Sequence, residues 1–171
     1  MADADSALIG QQDKIYDLFE SKEGVLAALV AEERRHTMRL LEQLVASTDS
    51  PREILTLLVR DLQSEMFDAD MLGMFRLVMT ESLRNLKLGR LLQESALMPF
   101  DDLLIGLFRR WTAEGKARID DPYIAADLLM GMMVHPRVKQ ACCGTPDPTE
   151  ADKAAIADAA IAMFTHHYGI A

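Results

Sequence analysis

Aromatic residues are scarce in this sequence, 6% of 171 positions, and the strand-favouring composition of an all-β protein is missing with them. Positive charge is short as well. Eighteen Lys and Arg face 27 Asp and Glu, for a formal net charge of -9, the opposite of the basic footprint that phosphate-backbone binding requires. DNA binding by the whole surface is therefore not expected. No apolar run approaches the roughly 18 to 20 residues needed to span a bilayer. The first residues, Met1 to Asp5, are acidic where a signal peptide would be basic. A cytoplasmic protein without a membrane partner is the expectation. Only two cysteines occur, Cys142 and Cys143, and adjacent cysteines rarely pair because the short ring is strained, so both read as free thiols near a helix end.

Catalytic signatures are absent too. The sequence holds no nucleophile motif, no Gly-rich phosphate loop and no His-Glu zinc pattern, so neither catalysis nor a cofactor is expected. His166 and His167 are adjacent, and neighbours on a helix point about 100° apart, which keeps them from sharing one ion. No metal site is expected.

What is present is helix-forming sequence in one domain-sized chain, 50% hydrophobic and 26% charged. The first dozen residues offer too few apolar groups for an amphipathic helix and read as a disordered tail, residues 1–13. From Ser21, a cap, the apolar positions Val25, Leu26, Leu29, Val30, Met38, Leu41, Leu44 and Val45 recur at helical spacing and predict one long helix to Ala46. Ser50-Pro51 opens a second, to Met66. A third spans Asp70 to Arg84, burying Met71, Met74, Phe75, Val78 and Met79, and a short one covers Leu86 to Ser95. Pro99 interrupts the chain before a helix through Trp111 that Gly115 closes. Asp121-Pro122 opens a helix from Tyr123 to Val134, apolar around much of its circumference, and Thr149 caps a last one to His167. The fold class is all-α.

Three segments carry a resemblance. Lys14-Ile15-Tyr16-Asp17-Leu18-Phe19-Glu20-Ser21-Lys22-Glu23-Gly24 resembles the tetracycline-repressor family pattern in which a Tyr, an aromatic and Ser-Lys-Glu join the recognition helix to a long fourth helix. Phe75-Arg76-Leu77-Val78-Met79-Thr80-Glu81 is similar to a Phe-Arg-Leu run of that family. Asp120-Asp121-Pro122 with Ala125, Ala126, Leu128, Leu129 and Gly131 resembles its first dimerisation helix. The resemblance in helix order covers residues 14–168. A helix-turn-helix needs two packed helices, for which the family uses roughly 35 to 40 residues before the Tyr segment. Here Met1 to Ile15 precede it. The expectation is a remnant of the DNA-binding domain at 14–21 and a ligand-binding, dimerising body at 22–171. Such a chain would not bind DNA alone; a complete repressor with a start further upstream, and a helical interaction module without a cavity, are the alternatives.

In the family, the residues matching Tyr16 and Lys22 commonly touch DNA phosphates, a positioning role; Tyr16 and Phe19 serve equally to staple the long helix, and Lys22 as a first-turn surface lysine. The resemblance also implies a pocket for a small apolar or amphipathic molecule, closed by the segment around Trp111. Its expected lining is His36, Met71, Phe75, Met79, Phe108, Trp111 and Met130, with Thr37, Thr80, Glu81 and Arg84 as further polar candidates. Eleven methionines suit a deformable cavity and equally a bundle core, and Trp111 suits a pocket wall or a packing plug. A C2 homodimer is implied through the last two helices, at Ala125, Leu129, Met133, Ile156, Ala160 and Phe164. An intramolecular hairpin is the alternative for those two helices.

Overall fold

The computed structural model describes residues 22–47 and 49–170. The expected tail, the 14–21 remnant and Tyr16 lie outside the described residues, and of Lys22 only the backbone is described, as the first residue of a helix. The helices are α1 (Lys22–Glu33), α2 (Arg35–Ala46), α3 (Pro51–Met66), α4 (Ala69–Arg84), α5 (Leu86–Leu92), α6 (Met98–Ala113), α7 (Pro122–Cys143) and α8 (Glu150–Tyr168), with a π-helical turn at Gln93–Leu97 between α5 and α6. Among the described residues there is no strand, as the scarcity of strand formers requires.

Local chemistry accounts for the starts of α3, α7 and α8. Ser50 accepts a hydrogen bond from the Glu53 backbone N–H, and the Glu53 carboxylate accepts from that of Ser50, 3.0 Å away. Thr149 and Asp152 repeat this reciprocal cap at α8, and Asp121 caps α7 ahead of Pro122. Each such cap satisfies donors that the helix itself leaves open and is worth about 1 kcal/mol. Ser50→Ala is accordingly expected to lower the melting temperature by about 2–4 °C for a chain of this size, read by thermal denaturation.

Three boundaries depart from the sequence expectation. The long helix breaks at Arg34, which has φ -80° and ψ -3°. The backbone ladder runs on across the break, from Arg34 N–H to Val30 C=O at 3.1 Å and from Met38 N–H to Arg34 C=O at 2.9 Å. The break is therefore a kink rather than a stop. Pro99 does not interrupt the chain, because the π turn passes the Met98 N–H back to the Gln93 carbonyl and α6 starts with Pro in its first turn, where its missing donor costs little. The seventh helix does not end at Val134 but runs through Pro136 to Cys143, and Gly144 stops it at a left-handed φ of 63°. A Pro inside a helix costs about 3 kcal/mol, and buried polar contacts of Arg137 and Gln140 just beyond it supply the compensation. Cys142 and Cys143 at the end of this helix are free and exposed.

Two apolar clusters result. The main core joins α2, α3, α6, α7 and α8 around Phe100, Leu104, Leu107, Phe108 and Trp111 of α6, all at most 1% exposed. A smaller cluster, Leu26, Ala27, Leu88 and Leu92, fastens α1 to α5, with Val30, Met74 and Val78 packed against it. The seam between the two clusters positions the site.

Candidate functional site

A cavity of ≈ 480 Å³ opens along that seam, within the size range of small-molecule sites. Its wall is mostly apolar. Val30 comes from α1, Met66 from α3, Met71, Met74, Phe75 and Val78 from α4, Leu97 from the π turn, and Met130, Gly131 and Val134 from α7. Four of the chain's eleven methionines stand here, and an unbranched thioether repacks around guests of different shape. The remaining lining is charged: Arg34, Glu65, Asp101 and Asp127.

Arg34, at the kink, is the cation of the group. Only 9% of it is exposed, its guanidinium lies 4.9 Å from the centre of the Phe100 ring, and its Nε is buried without a hydrogen-bond partner. Burial lowers its pKa, while the charges of Glu65 and Asp101 pull the other way. Burial likewise holds the Glu65 carboxyl above the usual carboxylate range, opposed by a hydrogen bond from the Thr37 hydroxyl and by the Arg34 charge. Its other oxygen, Oε1, is buried and unpartnered. Asp101 is raised for the same first reason, with Arg34 opposing and Asp127 and Asp102 adding repulsion. An arginine and carboxylates thus share an otherwise apolar wall, with buried hydrogen-bonding capacity left unused.

The structure places the sequence candidates unevenly. Met71, Phe75 and Met130 line the cavity together. Met79, Thr80, Glu81 and Arg84 are not in its wall. His36 lies outside on an exposed face, its Nε2 3.3 Å from Asp61 Oδ1, in a shallow depression that it shares with Thr37 and Met71. Phe108 and Trp111 are packed in the main core instead, ring centres 5.6 Å apart, where Phe164 and Tyr168 extend the aromatic stack. The expected interface residues also turn inward. Ala125, Leu129, Met133, Ala160 and Phe164 are buried within their own chain, and Ala160 borders an open groove between α7 and α8. Only Ile156 among the six is part-exposed.

The charged wall residues are absent from the sequence expectation, although two carry a signal. Arg34 follows Val30 by four residues and precedes Met38 by four, so it interrupts an apolar helical stripe. Glu65 follows Leu58 by seven and Leu62 by three in the same way. A charge on an apolar face is the pattern of a buried polar function, and helical spacing alone is enough to mark both residues. No such signal marks Asp101 or Asp127, whose placement depends on how α6 and α7 rotate in the bundle. Among the described residues no group of His, Cys, Asp and Glu is arranged to hold a metal ion, and no helix is long and apolar enough to cross a membrane.

Comparison with known proteins agrees with this architecture. No curated protein matches the chain in sequence. Among solved structures, a putative TetR-family transcriptional regulator from Mesorhizobium loti superposes with a TM-score of 0.76 at 23% identity, covering 91% of this chain and 79% of its own. A TetR-family regulator from Pseudomonas syringae pv. tomato gives 0.68 at 18% identity, covering 91% and 78%. A flavonoid-responsive regulator, FrrA, gives 0.64 at 22% identity, covering 91% and 79%. Similarity at this level of identity establishes the fold. The model of the AefR-like transcriptional repressor C-terminal domain matches residues 53–170, from the first turn of α3 to the end of the described chain, and on that match the chain belongs to the TetR family of transcriptional regulators.

Proposed function

We propose that this chain is the effector-sensing and dimerising body of a transcriptional regulator, acting in the cytoplasm, and that it does not bind operator DNA by itself. The observation that carries the sensing role is the Met-rich cavity on the seam between the two clusters. A guest there touches α1 through Val30 and the kink through Arg34 while also touching α4 and α7. It can therefore favour one setting of α1 against the core over another, which is all that a ligand-driven population shift requires. The net charge of -9 supports the absence of autonomous DNA binding. The role is regulatory rather than catalytic, in keeping with the family.

Addition of a panel of apolar and amphipathic small molecules is the direct test. A guest present at 100 times its Kd stabilises the protein by about 2.7 kcal/mol, which for a chain of this size raises the melting temperature by about 5–10 °C. A panel that leaves the melting temperature unmoved overturns the sensing role. Tight, salt-sensitive binding to a specific promoter fragment overturns the claim on DNA.

A further inference from the structure

The cavity's charged corner narrows the chemistry of its guest, an inference that rests on the sensing role proposed above. Arg34 Nε–H and Glu65 Oε1 are a donor and an acceptor, both buried, both without a partner, on residues that line one cavity. Among the described residues no hydrogen bond or ion pair joins the two side chains. An unmet buried polar atom is costly and is rarely kept without a use. Because both residues line the cavity, rotation of their side chains toward a guest would offer each atom a partner.

The charges of the wall then choose between guests. An anion satisfies Arg34 but meets the carboxylates of Glu65, Asp101 and Asp127. A cation satisfies Glu65 but adds like charge beside an arginine already desolvated against Phe100 and leaves Nε–H unmet. A neutral hydroxyl avoids both conflicts, because its oxygen accepts from one neighbour while its hydrogen is donated to another. The ten apolar lining residues require the rest of the molecule to be hydrocarbon.

We propose that the guest is an uncharged, mainly apolar alcohol or phenol whose hydroxyl bridges the Arg34 guanidinium and the Glu65 carboxylate. Because Arg34 sits at the break between α1 and α2, the turn of its side chain onto the hydroxyl also links occupancy to the angle of that break.

The experiment measures binding of naphthalene, 2-naphthol, 2-naphthoate and 2-naphthylmethylammonium to the full chain by calorimetry and by melting-temperature shift. 2-Naphthol is expected to bind about tenfold more tightly than naphthalene, the effect of a charge-assisted hydrogen bond, and more tightly than either ion. In Arg34→Met and in Glu65→Leu that preference should fall to about twofold or less. Arg34→Lys, which keeps the charge but not the planar fork, should fall between. Equal binding of naphthol and naphthalene to the unaltered chain, tighter binding of either ion, or a preference that survives in both apolar variants overturns the inference and leaves the sensing role standing. Failure of all four compounds to bind overturns this inference, and the sensing role as well when the wider panel also fails. The ranking on the unaltered chain decides the matter even if a variant does not fold.

Discussion

Arg137→Ala is expected to lower the stability of the chain by about 3–5 kcal/mol, the cost of removing one member of a buried charged network, and its melting temperature by on the order of 10 °C. Arg137 is 1% exposed and stands on α7 one residue after Pro136. Its Nε donates to the Met66 carbonyl and its Nη2 to the Asp68 carbonyl at 2.9 Å. The first is an acceptor that α3 leaves open at its C-terminal end, and the second lies in the link to α4. Its third arm donates to Gln140 Oε1, and Gln140 in turn donates to Asp147. The guanidinium also covers the Phe67 ring at 5.2 Å. Truncation therefore removes the donors to both carbonyls, opens a void and removes the contacts that hold α7 helical past its proline. Arg137→Lys keeps the charge but not the fork, so it should recover only part of the loss. Since Met66, Met71 and Val134 beside this corner line the cavity, the same variant should also weaken ligand binding. Urea denaturation checks the first claim; a midpoint within error of the unaltered protein would refute it.

That network also shows where sequence reading runs short. The apolar stripes announce the helices, and Pro, Gly and Ser or Thr at the ends fix most of their limits, because these are local properties. Pro136 reads as lying beyond a helix end for an equally local reason. What carries α7 through it is Arg137 reaching α3, 71 residues away in sequence, and no window of sequence contains that contact. The π turn before Pro99 is a similar case.

The site divides along the same line. Met71 and Phe75 are legible because α4 has a stripe facing the seam, whereas Phe108 and Trp111 lie on the buried face of α6, and aromatic character alone does not say whether a ring faces a cavity or another ring. Arg34 and Glu65 are legible in principle, as charges standing on apolar stripes. The family resemblance picks out Ala125, Leu129 and Ala160 as interface residues, but a helix packed on its own chain needs small and apolar side chains equally.

The dimer proposed above is expected to form through the outer faces of α7 and α8 rather than through their buried faces. Tyr123, Ile124, Leu128 and Met163 are 59%, 56%, 51% and 65% exposed, and Leu128, Gly131, Met132, Ile156, Ala159 and Met163 border an open groove between the two helices. Contiguous apolar side chains on neighbouring helices are costly in water unless something covers them, and a second copy applied about a two-fold axis covers like with like. Replacing Leu128 and Met163 together by Asp puts two charges from each protomer into that contact. The expected result is a dissociation constant raised more than 100-fold, about 2.8 kcal/mol or more, read by sedimentation as a monomer at concentrations where the unaltered chain is a dimer. The far-ultraviolet spectrum and melting of the monomer should stay close to native, because neither side chain is part of the core. Leu129→Ala should do the reverse. That residue is 0% exposed, so its truncation should cost about 2–5 kcal/mol of folding stability and leave the outward face, and hence the association of whatever remains folded, intact. A Leu128→Asp, Met163→Asp chain that sediments as a dimer would place the interface elsewhere, and an unaltered chain that is monomeric throughout would remove it.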